Sequence, residues 1–299
     1  MPMTSLAPLP AALEGVGGID LHMHSTASDG ALPPAELMAL CHARGLARLA
    51  LTDHDTVAGV AEAQEAARIL GLRVLPAAEL STQWRGMNIH VVALLPRGVR
   101  GSLEAGLAAQ AEAREARAEE IARRLEKLGL DDALARAREQ AGSERPLGRP
   151  DFARALVAAG LTPDIKTAFK KHLGSGKPGD VKAHWPFIPT AVEWIRDAGG
   201  VAVLAHPLRY GTTRRKRGLL LDDFSAAGGE AAELISGYQN ADATRDLARQ
   251  LDERGLYASL GSDFHFPGGA LAPGSMSPAP RSAVRPVWMH PALADFAAA

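Results

Sequence analysis

The sequence contains almost no cysteine and no excess of charge of either sign. Cys41 is the single cysteine, so the chain can form no internal disulfide and no structural zinc site built from several thiolates. We therefore expect a reducing, cytoplasmic location. The net charge is −1, from 33 basic and 34 acidic residues, which argues against partners such as duplex DNA or a membrane surface. Nothing in the sequence indicates an obligate protein partner.

Long apolar segments and aromatic residues are also scarce. The apolar run Val201–Ala205 is far too short to span a bilayer, and residues 1–18 lack the basic start and continuous apolar core of a secretory signal. Aromatic residues make up 5% of the chain, so we expect no extended stacking platform for a long single strand of nucleic acid. The hydrophobic fraction of 46% is nevertheless sufficient for a sizeable core.

Seven short apolar runs, each bounded by turn residues, are spread along the chain. Several of them are separated by helix-like stretches that end at a glycine. This alternation predicts an α/β fold with a mainly parallel sheet, either open or closed into a barrel. The predicted strands lie near Ile19–His24, Ala47–Thr52, Arg73–Glu79, Asn88–Leu95, Gly200–His206, Ala232–Ser236 and Tyr257–Ser262.

One long interval breaks this alternation. From about residue 101 to residue 184 the chain shows helical patterns, among them an Ala-, Glu- and Arg-rich stretch over Leu103–Leu128, and no convincing strand. We therefore predict three parts. These are a loose leader over residues 1–18, an α/β body formed by residues 19–100 and 185–299, and a helical insertion over residues 101–184.

Histidines and acidic residues mark the ends of the predicted strands. His22 and His24 alternate with apolar residues, so a strand would point both imidazoles to one face, where they can share a metal ion. Six of the seven strands carry such a residue at or near one end, and sites in parallel α/β folds assemble at the carboxyl ends of strands. His90 fits least well because it lies near the start of its strand. The other members of the set are Asp29, His54, Glu79, His206, Asp263 and His265.

Each residue of this set has an ordinary structural explanation when it is taken alone. A single buried histidine is more often a core residue than a ligand, and a single aspartate at a strand end is more often a helix cap. The coincidence of six such positions, including one His-x-His and one Asp-x-His pattern, favours a metal site. Imidazoles and carboxylates without thiolates suit manganese, iron(II) or zinc better than magnesium or calcium.

A series of motifs runs in a fixed order along nearly the whole chain. The motifs are Asp20-Leu21-His22-Met23-His24, Ser28-Asp29-Gly30, Thr52-Asp53-His54-Asp55, Glu79, His90, Ala205-His206-Pro207 and Gly261-Ser262-Asp263-Phe264-His265. This series resembles the PHP (polymerase and histidinol phosphatase) superfamily. Gly148-Arg149-Pro150, Arg209-Tyr210 and Ser236-Gly237 resemble its stand-alone phosphoesterases, which include 3′,5′-nucleoside bisphosphate phosphatases and 5′→3′ exoribonucleases. In one departure, Asp151 occupies a position where relatives often have histidine.

The resemblance implies a distorted seven-stranded β/α barrel of PHP type, formed by residues 19–100 and 185–299. It also implies two or three divalent ions at the carboxyl end of the barrel, with manganese as the first choice and zinc or iron as alternatives. Glu79 would bridge two of these ions. The implied ligands are His22, His24, Glu79 and Asp263 for one ion, Glu79, His90 and His206 for a second, and Asp29, His54 and His265 for a third.

The resemblance further implies hydrolysis of phosphate esters by a metal-activated water, without a protein nucleophile. Asp20 and Asp53 lie next to implied ligands, and we expect them to orient imidazoles. Arg149, Arg209 and Ser236 are the expected substrate-binding residues, since an arginine fork matches phosphate geometry. Arg149 lies in the insertion, which makes the insertion a predicted substrate lid.

The predicted reaction removes the 3′-phosphate from nucleoside 3′,5′-bisphosphates, so the expected partner is a small nucleotide. An alternative, open to the same enzyme, is 5′→3′ exonuclease action on short 5′-phosphorylated RNA. The basic run Arg214–Arg217 would then guide the RNA, although such a run is equally typical of a solvated loop. A more remote alternative is C–N hydrolysis by an amidohydrolase, which normally uses a bridging lysine where this chain offers Glu79.

Overall fold

A computed structural model of the chain describes residues 6–142, 145–174, 176–181 and 185–298. Residues 1–5 of the predicted leader and residues 143, 144, 175 and 182–184 of the predicted insertion lie outside the described residues. The chain divides into two compact units, one formed by Met1–Gly106 with Pro186–Ala299 and the other by Leu107–Trp185. The function of the second unit as a substrate lid stays a prediction.

The first unit contains one seven-stranded sheet whose strands follow each other in sequence order. The strands are β1 (Ile19–Asp20), β2 (Arg48–Leu51), β3 (Arg73–Trp84), β4 (Met87–Leu94), β5 (Val201–Leu204), β6 (Ala231–Ser236) and β7 (Tyr257–Gly261). Strands β1 to β3 pair in parallel, and so do β5 to β7. Strand β4 runs antiparallel to both of its neighbours, β3 and β5. The sheet is therefore mainly parallel with one reversed strand.

The two outer strands of this sheet approach each other and nearly close it into a barrel. The backbone N–H of Leu21, directly after β1, donates to the carbonyl of Leu260 in β7 at 3.1 Å. Two residues later, Met23 pairs in parallel with Phe264. Both side chains are buried, which places part of the core at this seam. The prediction of a distorted seven-stranded β/α barrel is confirmed.

The helices begin and end close to the positions that the proline and glycine pattern predicts. Gly71 and Gly199 follow two of them with φ angles of 73° and 71°, a backbone geometry that favours glycine after a helix end. No helix in the described parts of the chain is long and apolar enough to cross a bilayer. The helices are α1 (Pro34–Ala43), α2 (Val60–Leu70), α3 (Ser102–Glu126), α4 (Ala133–Ala141), α5 (Arg149–Ala158), α6 (Ile165–Ala168, continued by a π-helical turn over Phe169–Leu173), α7 (Ile188–Asp197), α8 (Arg214–Ala226), α9 (Ala241–Asp252) and α10 (Ala294–Ala297, after 3₁₀ turns over Val287–Met289 and Pro291–Leu293).

The basic run Arg214–Arg217 forms the first turn of α8, so its interpretation as a solvated loop is wrong. Four cations in this position oppose the helix dipole, which favours negative charge at a helix start. Asp246 of α9 compensates for them, because its carboxylate accepts hydrogen bonds from Arg214 at 2.9 Å and from Arg217 at 2.7 Å. The Thr213 hydroxyl also caps the helix by accepting the N–H of Lys216.

The second unit has a hydrophobic core of its own, centred on buried side chains such as Phe152 and Leu156 of α5. Asp151 in the first turn of α5 is fully buried, and its carboxylate forms ion pairs with Arg145 and Arg154. The same carboxylate accepts the backbone N–H of Gly148 at 2.7 Å. Asp151 therefore closes the start of the helix.

The end of β7 shows why a glycine is needed close to the barrel seam. A Cβ atom added to Gly261 would lie 2.3 Å from the Cβ of His22 and 2.7 Å from its backbone nitrogen. Real Cβ atoms do not approach other atoms this closely, so the backbone of residue 22 fits against β7 only when residue 261 has no side chain.

We predict that Gly261→Ala lowers the free energy of unfolding by about 1–3 kcal/mol, the usual cost of overpacking a tight core. Urea unfolding followed by circular dichroism measures this difference. Gly17→Ala serves as the control, because a Cβ atom at Gly17 would have no atom within 4 Å. Equal stabilities of the two variants would contradict the close packing at the seam.

Candidate metal centre

Polar side chains that follow the carboxyl ends of β1 and β7 meet the side chain of Glu79 in β3. The Nε2 atoms of His22 and His24 lie 3.1 Å apart, which confirms that the His-x-His motif presents both imidazoles to one place. Each of these nitrogens lies 3.2 Å from Oε2 of Glu79 and within 3.4 Å of Oδ1 of Asp263. His22, His24 and Glu79 are at most 1% exposed, so this group is shielded from bulk water.

Glu79 is the centre of a larger arrangement. Its Oε2 atom also lies 3.2 Å from Nδ1 of His54. Its other oxygen, Oε1, lies 2.9 Å from Nδ1 of His90 and 2.9 Å from Nε2 of His206. Together with His22 and His24, five imidazoles thus contact the two oxygens of a single buried carboxylate.

Three overlapping groups of side chains could each hold a metal ion. In every group the donor atoms lie within 4.8 Å of one another. The groups are His22, His24, Glu79 and Asp263; His24, Asp29, His54 and His265; and His54, Glu79 and His90. The first group equals one of the ligand sets that the family resemblance implies, and the second contains another. The assignment of individual ions to these residues stays a prediction.

The unexpected placement of His90 follows from the direction of β4. Because β4 is antiparallel to β3 and β5, the start of this strand lies at the same end of the barrel as the ends of its neighbours. His90 pairs with Ser81 of β3, and its carbonyl accepts the N–H of Ala205, just after β5, at 3.0 Å. The hydroxyl of Tyr210 in turn accepts the backbone N–H of His90 at 2.9 Å.

Two of the candidate ligands have strained backbones. His206 has a φ angle of 30° and Asp263 has one of 56°, both in the left-handed region that side chains larger than glycine seldom adopt. Such strain concentrates at functional sites, where the surrounding structure holds it in place. Here it turns the chain sharply after β5 and β7 and aims both side chains at the cluster.

The donor atoms of the cluster fit divalent metal ions. The buried Nδ1 atom of His24 and the Oδ1 atom of Asp29 lie 3.9 Å apart, and neither has a hydrogen-bond partner among the described residues. An unpartnered buried polar atom is costly, and a bound cation would remove that cost. Nitrogen and carboxylate donors without a thiolate suit manganese, iron(II) or zinc.

Burial and opposite charge act against each other in this cluster. Burial raises the pKa of Glu79, but the charges of His22, His90 and His54 hold that pKa well below its usual range. Burial lowers the pKa of His54 well below its usual range, against the attraction of nearby carboxylates. Burial also lowers the pKa of His24, but its carboxylate neighbours outweigh burial and raise that pKa to about 10. Protons and metal ions therefore compete for the same nitrogens.

Asp20 accepts hydrogen bonds from backbone groups within the described structure, and its predicted role of orienting an imidazole stays a prediction. Its carboxylate accepts backbone N–H groups from His22 at 3.2 Å, Ser262 at 2.9 Å and Gly274 at 2.7 Å. Asp20 therefore joins the segments that carry His22 and Asp263. The physical reason is that buried backbone N–H groups at a strand end need acceptors, and the carboxylate supplies them.

Asp53 also binds groups of a neighbouring turn, and its predicted role of orienting an imidazole stays a prediction. Its carboxylate accepts the backbone N–H of Ser25 at 2.8 Å and the hydroxyls of Ser25 and Ser28 at 2.7 and 2.6 Å. These bonds hold the turn between His24 and Asp29. Both carboxylates thus position ligands through the backbone.

The expected substrate-binding residues are found in different units. Arg209 forms an ion pair with Asp263 and donates from Nη2 to the carbonyl of Ser236 at 3.1 Å. The hydroxyl of Ser236 is buried and has no hydrogen-bond partner among the described residues. Arg149 lies in the second unit, where it donates to the carbonyl of Leu173 at 3.3 Å. Their contacts with a substrate stay predictions.

Sequence reasoning missed Glu233. This residue is 2% exposed on β6, and its Oε1 atom lies 2.6 Å from Nδ1 of His22. Its other oxygen accepts the backbone N–H of His206 at 2.6 Å. The signal in the sequence is a single acidic residue inside the apolar run Ala231–Ser236, which is unusual for a buried strand.

We predict that adding Mn²⁺ raises the melting temperature of the protein, because ions that bind only the folded site stabilise it. At 100 times the dissociation constant the gain is about 2.7 kcal/mol. Glu79→Gln should lose most of this shift, since the amide carries no charge. Scanning fluorimetry with Mn²⁺ or EDTA measures both. Glu65→Gln, on the exposed face of α2, is the control; a full shift in Glu79→Gln would contradict the central position of Glu79.

Comparison with known proteins gives matches along nearly the whole chain. The family model for the PHP domain matches residues 20–121. A 5′-3′ exoribonuclease of Haemophilus influenzae is 44% identical over 269 residues, which cover 90% of this chain and 97% of that protein. A 3′,5′-nucleoside bisphosphate phosphatase of Chromobacterium violaceum is 41% identical over 274 residues, which cover 91% of this chain and 96% of that protein.

A solved structure shares the fold as well. It is described as an amidohydrolase from Chromobacterium violaceum with bound sulfate and no metal. It is 40% identical, has a TM-score of 0.86, and the match covers 93% of this chain and 96% of that one. The sequence-based prediction of a PHP-type hydrolase of phosphate esters is confirmed by these relatives. The chain belongs to the PHP domain family.

Proposed function

We propose that this chain is a metal-dependent phosphoesterase that removes the 3′-phosphate from nucleoside 3′,5′-bisphosphates. The observation that carries the proposal is the buried carboxylate of Glu79 in contact with five imidazoles. A cluster of this composition is suited to holding several divalent ions close together. The substrate class is supported by the Chromobacterium violaceum relative, a 3′,5′-nucleoside bisphosphate phosphatase that is 41% identical.

In this proposal each metal ion is held by side chains of the cluster, with Glu79 shared between two ions. Manganese is our first choice, and zinc or iron(II) is the alternative. Bound ions would neutralise charge on the phosphoryl oxygens and activate the attacking water. The proposed ligands are His22, His24, Glu79 and Asp263 for one ion, Glu79, His90 and His206 for another, and Asp29, His54 and His265 for a third.

The remaining residues of the site bind and orient the substrate. Arg209 has a side chain that is 41% exposed, so its guanidinium can meet a phosphate while it stays next to Asp263. Its planar fork matches two phosphate oxygens. The carbonyl of Ser236 accepts from this fork, and the buried hydroxyl of the same residue has no hydrogen-bond partner among the described residues. We propose that these two residues hold the 5′-phosphate and so present the 3′-phosphate to the metal cluster.

Exonuclease action on short 5′-phosphorylated RNA is the second candidate. It is favoured by the 44% identity to the 5′-3′ exoribonuclease of Haemophilus influenzae. Both reactions need a 5′-phosphate held in place and a cut at the neighbouring 3′ phosphate ester, so one site can perform both. The basic run offers this RNA less charge than its sequence suggests, because Asp246 binds both Arg214 and Arg217.

We predict that Mn²⁺-loaded protein converts adenosine 3′,5′-bisphosphate into 5′-AMP and phosphate. Chromatographic separation of the products measures this, with EDTA-treated protein as the control. Formation of 3′-AMP instead would contradict the proposed orientation of the substrate. Absence of turnover with metal bound would move the proposal to RNA or, if short 5′-phosphorylated RNA is also inert, to the C–N hydrolase alternative.

We also predict that Arg209→Gln raises KM for this substrate by roughly 10- to 100-fold, since hydrogen bonds to charged groups contribute about 1.5–3 kcal/mol. Steady-state kinetics at saturating Mn²⁺ measure the change. Arg68→Gln on α2 is the matched control, because Arg68 pairs only with exposed Glu65 in the described structure. An unchanged KM in Arg209→Gln would remove Arg209 from the phosphate site.

A further inference from the structure

Glu233 is a buried carboxylate to which the proposed reaction assigns no function. It lies on β6 and reaches two candidate ligands from distant parts of the sequence, His22 and His206. Both contacts are 2.6 Å long, and each uses a different oxygen of the carboxylate. The register of β6 against β7 shifts between Glu233 and Ile235, and such bulges often redirect side chains beside functional sites.

The first contact determines which nitrogen of His22 carries a proton. A carboxylate only accepts hydrogen bonds, so the ring nitrogen that faces it, Nδ1, must be the N–H donor. When a metal ion takes the place of a proton at Nε2, the lone pair of the neutral ring lies on that atom. That atom is the one 3.1 Å from Nε2 of His24, 3.2 Å from Glu79 and 3.4 Å from Asp263. Without the carboxylate, the proton would be free to move to Nε2 and occupy the position of a metal ion.

The second contact holds the backbone of His206. This residue has a φ angle of 30°, which few residues other than glycine adopt. The hydrogen bond from its backbone N–H to Oε2 of Glu233 supports this conformation. In that conformation Nε2 of His206 lies 2.9 Å from Oε1 of Glu79. The two oxygens of Glu233 therefore position ligands that contact opposite oxygens of Glu79.

We propose that Glu233 is a positioning residue that keeps His22 in its Nδ1–H tautomer and fixes the backbone of His206 for metal binding. The inference rests on the proposed metal centre and deepens it. Glutamine cannot replace glutamate here, because an amide has one accepting oxygen and one donating NH₂ group. A glutamine side chain that accepts from one of the two N–H groups would turn its own NH₂ toward the other.

The first test is metal affinity. We expect Glu233→Gln to bind Zn²⁺ or Mn²⁺ about 10- to 100-fold more weakly than wild type, the usual effect of removing a partner that orients a metal ligand. Competition with a chromophoric chelator measures the affinity, and mass spectrometry counts the ions per chain. Glu230→Gln is the matched control, because Glu230 directly precedes β6 and contacts His290 at 3.1 Å. This control should bind as wild type does.

The second test reads the tautomer of His22 directly, which a merely structural role of Glu233 would not determine. In Zn²⁺-loaded wild type labelled with ¹⁵N-histidine, long-range ¹H–¹⁵N spectra should show His22 as the Nδ1–H form. The signal is assigned by its loss in His22→Asn. A wild-type His22 protonated on Nε2 would overturn the inference, even if Glu233→Gln does not fold.

The outcomes separate this inference from the proposed function. A wild-type chain that binds no divalent ion would overturn the metal centre and the inference with it. A wild type that binds ions, together with a folded Glu233→Gln variant of equal affinity, would overturn the inference alone. Weaker binding in Glu233→Gln, unchanged binding in Glu230→Gln and the Nδ1–H signal together would support it.

Discussion

The structure of the site depends on one buried carboxylate in contact with five imidazoles. Glu79 is 1% exposed, and burial of an isolated carboxylate is strongly unfavourable. Its three contacts at Oε2 and two at Oε1 lower the pKa of the group and compensate for its burial. The same contacts place the histidines within a few ångströms of each other, an arrangement that cations stabilise. The cluster therefore combines the requirements of a stable core with those of a metal centre.

The reversed strand β4 makes this arrangement possible. In a fully parallel barrel, only residues at strand ends reach the carboxyl edge, and a residue near a strand start would lie at the opposite edge. Because β4 is antiparallel to β3 and β5, His90 lies next to Glu79 of β3 and close to His206 after β5. The reversal thus brings His90 to the same carboxylate that the imidazoles from the parallel strands contact.

Three further carboxylates support the cluster without belonging to it. Asp20 and Asp53 accept N–H and hydroxyl groups in the turns that carry the ligands, and Glu233 contacts both an imidazole and a strained backbone. Rigid support of this kind is needed because a metal site tolerates only small displacements of its ligands. In the second unit, Asp151 shows the same use of a buried carboxylate to close a helix start.

The sequence by itself determined the seven strands, the nine clustered His, Asp and Glu residues and the family, because strand periodicity and ligand spacing are local properties. The tertiary structure decided what depends on neighbours distant in sequence. The direction of β4 explains His90, and Asp20 accepts the backbone N–H of the distant Ser262. Helix α8 forms over a basic run because Asp246 lies beside it. Glu233 lies in an apolar strand, and only the folded chain brings it into contact with His22, which is 211 residues away in sequence.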